Sequence, residues 1–536
     1  MKWPLKFWLA VLVIILVAGI LRLWRLDNRP MHGDEAIHAY KFGRLLERNE
    51  YRYDPGDFHG PTLNYFTLIP ALLSGKGIYA SLTESTMRIV PVVFGLLLVV
   101  MPLLLVGGLG RPVSLIAAGL TAISPAFVFY SRYYIQEMLL VCFTFGVMCT
   151  GYKYVRSRKL IWALSAGLFA GLCHATKETC IIAFGSMLVA LLARRYIFTA
   201  EHAETDEKEN RLKSAFSAVS AVHLAVAVVL AFCVSALFYS SFLTNPDGVL
   251  DSFRAYAAFF SRAGANQHHI EPWYYYLRTL IFSKSEMGPP WTEGFVVILA
   301  GIGGVLIIAR KGLGNLDRRL LDFLLFYTAV MLVVYSAIPY KTPWCLLGFY
   351  HGMILLGAVG VVAIIGLIER MLARLVVGAF FVLVAVDLAT QAFTASFISY
   401  TDPSSPYVYS QPTKDVVKIA ERIKNVLPPD STGFEPVWVV CPGGDYWPLP
   451  WYLRGFKNVG WWNDVNEITQ PAPVVIASAE LEDRLINRLY EISPAGEKNL
   501  YVPLFETYIE LRPGVEIRGY ITKDLSDKLL ESNNER

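Results

Sequence analysis

Eleven apolar runs, each of roughly 17–25 residues, limit this chain to a narrow set of folds, because each matches a helix crossing a bilayer. They lie near residues 5–24, 86–107, 112–130, 135–154, 160–176, 179–195, 217–241, 293–309, 321–337, 345–368 and 374–395. In hydrocarbon a segment must satisfy its own backbone hydrogen bonds, so runs of this length read as helices. Composition agrees: 17% of the 536 residues are charged, against about 25% in a typical soluble protein. The expected fold class is an α-helical polytopic membrane protein with about 11 transmembrane helices. The first run follows Lys2 and Lys6 and extends from Phe7 to Leu23, longer than a signal-peptide core and without a clear small-x-small cleavage site. It reads as a retained first helix.

Lysine and arginine set the orientation. With the N-terminus cytoplasmic, one face collects Arg111, Lys153, Arg156, Arg158, Lys159, Arg194, Arg195, Lys208, Arg211, Lys213, Arg310, Lys311, Arg318, Arg319, Arg370 and Arg374. The other face receives the loops 25–85, 131–134, 174–178, 242–292 and 338–344 and the tail after about 396. The expected location is the plasma (inner) membrane, with the C-terminal domain extracytoplasmic. The formal charge of +4 is dispersed and gives no reason to propose nucleic acid as a partner. The seven cysteines show neither a disulfide framework nor Cys-x-x-Cys spacing.

Residues 1–395 read as the transmembrane domain, with surface helices in its first outer loop, 25–85. Pro403, Pro406 and Pro412 mark a linker near 396–411. Beyond it, Val416, Ile419, Ala420, Ile423, Val426 and Leu427 recur at helical spacing. Short runs at 436–441 and 473–477 are rich in valine and isoleucine, as buried strands are, and 479–490 is helical again. Residues 412–536 therefore predict a small extracytoplasmic α/β domain.

The polar clusters gather on the outer face. Asp34 and Glu35 follow the first run, and a carboxylate pair there is costly if it faces lipid. Asp34 is positioned to cap a surface helix with apolar positions Ala39, Phe42, Leu45 and Leu46, whose N-terminus favours negative charge. His32, His38, Asp54, Asp57 and His59 share the loop, and Pro61 suits the start of a second surface helix that bends at Pro70. Arg132, Tyr133, Gln136 and Glu137 join the third and fourth runs. Lys177 and Glu178 occupy a hairpin tip too tight for snorkelling to explain both, which indicates a buried ion pair or an anion site. Pro339 and Pro343 frame Lys341 beside Trp344, and the loop 242–292 adds His268, His269 and Trp273-Tyr274-Tyr275-Tyr276.

In that order the motifs resemble the protein O-mannosyltransferase and lipid-A aminoarabinose transferase group of GT-C glycosyltransferases. Three segments, Gly33 to Lys41, Tyr340-Lys341-Thr342-Pro343-Trp344 and Trp447 to Arg454, look like a branch associated with flippase activity and known from archaeal N-glycosylation. The resemblance spans about 1–395 plus the aromatic motif in the tail. It implies transfer from a polyprenyl-phosphate-linked sugar to an acceptor glycan, lipid or protein outside the cell. Asp34, with Glu35, would be the catalytic carboxylate, and Glu137 the second acidic position. Arg132, Tyr133, Lys177, Lys341, His59 and His269 would bind lipid phosphate or sugar.

The chemistry is consistent by itself. A hydroxyl acceptor needs a base, worth about 10²–10⁴ in rate, and a phosphate leaving group needs cations rather than an acid. Direct displacement inverts the anomeric centre. No metal is obligatory, although His32, Asp34, His38 and His59 leave a divalent site open. The rival readings are a flippase or its accessory protein for lipid-linked sugars, and a scaffold with no site.

Overall fold

The computed structural model describes residues 4–56, 59–199, 207–265, 269–286, 288–427, 436–493 and 500–534. Asp57 and His268 lie outside the described residues. Two compact units are present. The first comprises Met1–Leu26, Glu50–Leu73 and Ser85–Tyr409; the second comprises Asp27–Asn49, Ser74–Glu84 and Ser410–Arg536.

The first unit is helical. Its helices are α1 (Leu5–Leu23), α3 (Thr62–Leu73), α4 (Glu84–Val100), α5 (Val106–Ile123), α6 (Pro125–Ser131), α7 (Glu137–Ser157), α8 (Leu160–His174) and α9 (Cys180–Thr199). They continue with α10 (Glu207–Tyr239), α11 (Gly248–Ala265), α12 (Tyr275–Ile281), α13 (Gly294–Ile308), α14 (Arg318–Ala337), α15 (Leu347–Leu367) and α16 (Met371–Phe393). A helix stands at every expected apolar run. Among the described residues seven helical stretches are long and apolar enough to cross a membrane, while Leu160–His174 and Gly294–Ile308 are shorter.

The expected runs 86–107 and 112–130 are separate helices: at Gly110 (φ 70°) the backbone leaves the helical region, and Pro112 follows. The run expected over 112–130 is in turn broken, because Ser124 ends α5 and its hydroxyl caps α6, with Pro125 at the first helical position.

Two arginines close the ends of neighbouring helices. Arg22, near the end of α1, donates to the carbonyls of Ala122 (2.8 Å) and Thr121 (2.9 Å) at the end of α5. Arg132 donates to the carbonyls of Arg22 (2.9 Å), Trp24 (2.8 Å) and Arg25 (2.7 Å) just past α1. The last carbonyls of a helix lack intrahelical partners and carry partial negative charge, so a guanidinium satisfies both needs.

The second unit combines α2 (Gly33–Arg48), α17 (Asp415–Val426), α18 (Leu449–Tyr452), α19 (Glu482–Glu491) and α20 (Lys523–Asn534) with a mixed sheet. Its strands are β1 (Val437–Val440), β2 (Val459–Trp462), β3 (Val474–Ser478), β4 (Tyr501–Pro503), β5 (Glu510–Arg512) and β6 (Val515–Thr522). The order is β2-β1-β3-β6-β4, with β5 paired to β6. β1 is parallel to both β2 and β3, whereas β6 is antiparallel to β3, β4 and β5. The periodic apolar residues of α17 are all buried, as their spacing predicted. Ala39, Phe42 and Leu45 are the buried face of α2, while Arg44, Glu47 and Arg48 are exposed.

Candidate active site

In the second unit, α2 starts in a capping box. His32, not Asp34, is the N-cap: its Nδ1 accepts from the Asp34 amide at 3.0 Å. Glu35 closes the box, its Oε2 accepting from the His32 amide at 2.9 Å and its Oε1 from Arg29 at 3.1 Å. Both oxygens of this fully buried carboxylate are therefore engaged. Burial holds the His32 ring below the usual histidine pKa, against the pull of Asp34 and Glu35, and only a neutral ring nitrogen accepts a hydrogen bond.

Asp34 is left outward. Its carboxylate is 38% exposed, 3.8 Å from the neutral His32 ring. The local backbone is fixed by the tail: the Met31 amide donates to Tyr452 at 2.9 Å, and Gln411 donates to the Pro30 carbonyl at 2.9 Å. The aromatic motif is anchored through Trp451, which donates to Glu84 at 2.7 Å, and Arg454, which lies 4.0 Å from the Trp451 ring centroid and donates to Leu82.

In the first unit, the tip between α8 and α9 packs on the segment before α3. Gly60 is required there, since a Cβ would lie 2.2 Å from the Ala175 carbonyl oxygen. That gives the His-Gly-Pro sequence a steric reason. The Thr62 and Thr176 hydroxyls meet at 2.8 Å. Lys177 and Glu178, adjacent in sequence, take different partners. Lys177 pairs with Glu137 at the start of α7, and both are buried. Burial alone would lower the Lys177 pKa, but Glu137 holds it above the usual lysine range. Glu178 accepts from Tyr53 at 2.8 Å and meets His59 Nδ1 at 2.8 Å. Burial opposes its ionisation, yet His59 and the Tyr53 hydroxyl bring its pKa down to about 2.

A cavity of about 30 Å³ adjoins the Lys177–Glu137 pair, lined also by Thr179, Tyr335, Cys345 and His351. His351 Nε2 is buried there with no hydrogen-bond partner among the described residues. The volume suits a water-sized guest.

The other expected site residues lie as follows. Tyr133 is buried against Trp344 at 5.9 Å and Tyr130 at 6.0 Å. Arg132 is buried, caps α1 and stands 4.5 Å from the Phe397 ring. Lys341 donates to the carbonyls of Glu271 and Ile338. His269 is exposed, in a left-handed conformation (φ 70°), between Tyr340 and Tyr409. Among the described residues no group of three or more His, Cys, Asp and Glu converges as a metal site.

Sequence reading missed Glu293, a fully buried carboxylate with four donors. Ser124 (2.5 Å) and Tyr350 (2.6 Å) reach one oxygen; the Ala126 amide (3.0 Å) and Tyr407 (2.8 Å) reach the other. Its signal was slight: one acidic residue at the start of a membrane run. Tyr53 and Arg22, single polar residues outside any motif, were missed too.

Comparison with known proteins adds the following. The profile of the dolichyl-phosphate-mannose-protein mannosyltransferase family matches residues 59–205, just over a quarter of the chain. No curated protein matches the sequence. Among solved structures, ArnT from Cupriavidus metallidurans superposes with a TM-score of 0.63 at 14% identity, over 95% of this chain and 97% of that one. The same protein bound to undecaprenyl phosphate gives 0.63 at 15% identity, over 96% and 98%. The archaeal oligosaccharyltransferase AglB from Archaeoglobus fulgidus, in complex with an inhibitory peptide and a dolichol-phosphate, gives 0.52 at 14% identity, over 90% of this chain and 70% of that one. The chain has the GT-C fold of these membrane glycosyltransferases.

Proposed function

We propose that the protein is an inverting membrane glycosyltransferase, which moves a hexosyl group from a polyprenyl-phosphate carrier to an acceptor on the extracytoplasmic face. The observation that carries this reading is the Asp34 carboxylate. It is held at the start of α2 by the His32–Glu35 box, yet its own oxygens remain accessible. The shared fold supports it, since solved relatives hold undecaprenyl phosphate or a dolichol-phosphate.

In the proposed reaction Asp34 takes the proton of the acceptor hydroxyl as its oxygen bonds to the anomeric carbon. The bond from that carbon to the phosphate oxygen breaks, and the phosphate leaves as an anion. Lys177, Arg132 and Lys341 are the cations that the resemblance assigns to the carrier phosphate. Glu35 positions the α2 start, and Glu137 holds Lys177 charged until an anion competes for it. His59 and His269 offer ring nitrogens to sugar hydroxyls.

The test is reconstitution in liposomes with a labelled polyprenyl-phosphate sugar and a membrane extract as acceptor source. Label should pass from the carrier to a new product, with inverted anomeric configuration. Movement of the intact labelled carrier across the bilayer without transfer would instead make the protein a flippase.

A further inference from the structure

The tail builds an aromatic surface beside Asp34, and the sheet explains how. β2 is an edge strand, and alternate residues of a strand face opposite sides. Trp462 therefore turns to Trp438, 6.0 Å away, in the apolar cluster with Val440, Val475 and Leu485. Trp461 points the other way and meets Tyr446 at 4.9 Å and 40°. Gly443 and Gly444, both at positive φ, turn the chain so that Tyr446 and Trp447 follow side by side, 5.9 Å apart at 37°. Tyr40, 48% exposed on α2, stands edge-on to Trp447 at 6.4 Å. Tyr446, Trp447 and Trp461 are each only half-buried.

The surface adjoins the start of α2, one residue before Asp34. A Cβ on Gly33 would lie 3.8 Å from the Trp447 Cβ. Arg512 donates to the Trp447 carbonyl at 3.2 Å, pairs with Asp445 at 2.5 Å and lies close enough to His32 to lower its pKa. The rim thus carries Asp34 and Asp445 against one Arg512.

We propose that Tyr446, Trp447 and Trp461 form the acceptor subsite and that its occupant is a neutral saccharide. This deepens the function proposed above and rests on Asp34 being the base. Gently inclined aromatic faces match the C–H face of a sugar ring. At their edge the half-exposed Asp445 carboxylate and the partly exposed Arg512 guanidinium offer an acceptor and a donor to vicinal hydroxyls. Two carboxylates against one guanidinium repel phosphate and anionic headgroups, so charge disfavours a lipid occupant. The amphiphilic chemistry of the surface fits a polyol, whose hydroxyl at the rim then lies near Asp34.

The test uses the full chain in nanodiscs, titrated with mannotriose, cellotriose and N,N′-diacetylchitobiose and followed by saturation-transfer NMR. At least one should bind at millimolar concentration, and Trp461→Ala and Tyr446→Phe/Trp447→Phe should be compared. Trp461→Ala should weaken binding at least tenfold, while the aromatic-preserving double variant stays within threefold. Asp34→Asn should bind saccharide while losing transfer. Absence of binding by all three sugars, or undiminished binding by Trp461→Ala, overturns the subsite. Tryptophan quenching by doxyl-labelled lipid that vanishes in Trp461→Phe also overturns it, in favour of a lipid contact. Transfer that persists in Asp34→Asn would remove the base while leaving saccharide binding to be judged separately.

Discussion

Lys177 and Glu137 are 40 positions apart in sequence, and each is the other's answer to burial. Removing one member of a buried pair leaves an uncompensated charge, at a cost of about 3–5 kcal/mol. Lys177→Met should therefore lower the melting temperature markedly, and adding Glu137→Gln should restore most of the loss. Donor binding separates two roles. If Lys177 serves the carrier phosphate, the stable double variant still binds donor weakly; wild-type donor affinity in that variant would make the pair purely structural. The sequence marked Lys177 and Glu178 as buried charges but not their partners. Glu178 finds Tyr53 and His59 at separations of 125 and 119 residues, which no local pattern encodes. Arg132 shows the same limit: its guanidinium closes the end of α1, a role visible only once the helices are packed.

At the level of the element, α2 was legible because its apolar spacing and its acidic first turn are local features. Its cap was assigned two residues too late, since histidine is an unusual N-cap and Asp34 has the commoner chemistry. The histidine cap has a pH consequence. Burial depresses the folded His32 pKa, so the unfolded chain takes up a proton first, near pH 6.5. Stability is then complete above about pH 6.5 and declines as the pH falls from there toward the lower folded value. His32→Asn keeps a side-chain acceptor without the titration. Its melting temperature should fall less than that of the wild type between about pH 7.5 and 5.5; equal losses would remove His32 as the source. The tail sheet was half legible. β1 and β3 are apolar enough to read as buried strands, whereas β2, β4 and β5 are short edge or near-edge strands whose mixed composition hides them.

For the molecule as a whole, apolar run length carried the fold, and each expected run holds a helix. Run length gave the break at Gly110, between two expected runs, but not the one at Ser124-Pro125, which starts a new helix inside an apolar run. The charge distribution predicts which side each loop takes. Single cysteines at exposed positions test it: Asp445→Cys should react with an impermeant maleimide from outside intact cells, and Lys159→Cys only after permeabilisation. Labelling of both from outside would overturn the assigned orientation. The central claim is that Asp34 is the base of a lipid-phosphate-dependent sugar transfer, and the rate of transfer by Asp34→Asn in liposomes measures it most directly. The account predicts a fall of about 10²–10⁴ in turnover with donor affinity retained; turnover within a few fold of the wild type would contradict it.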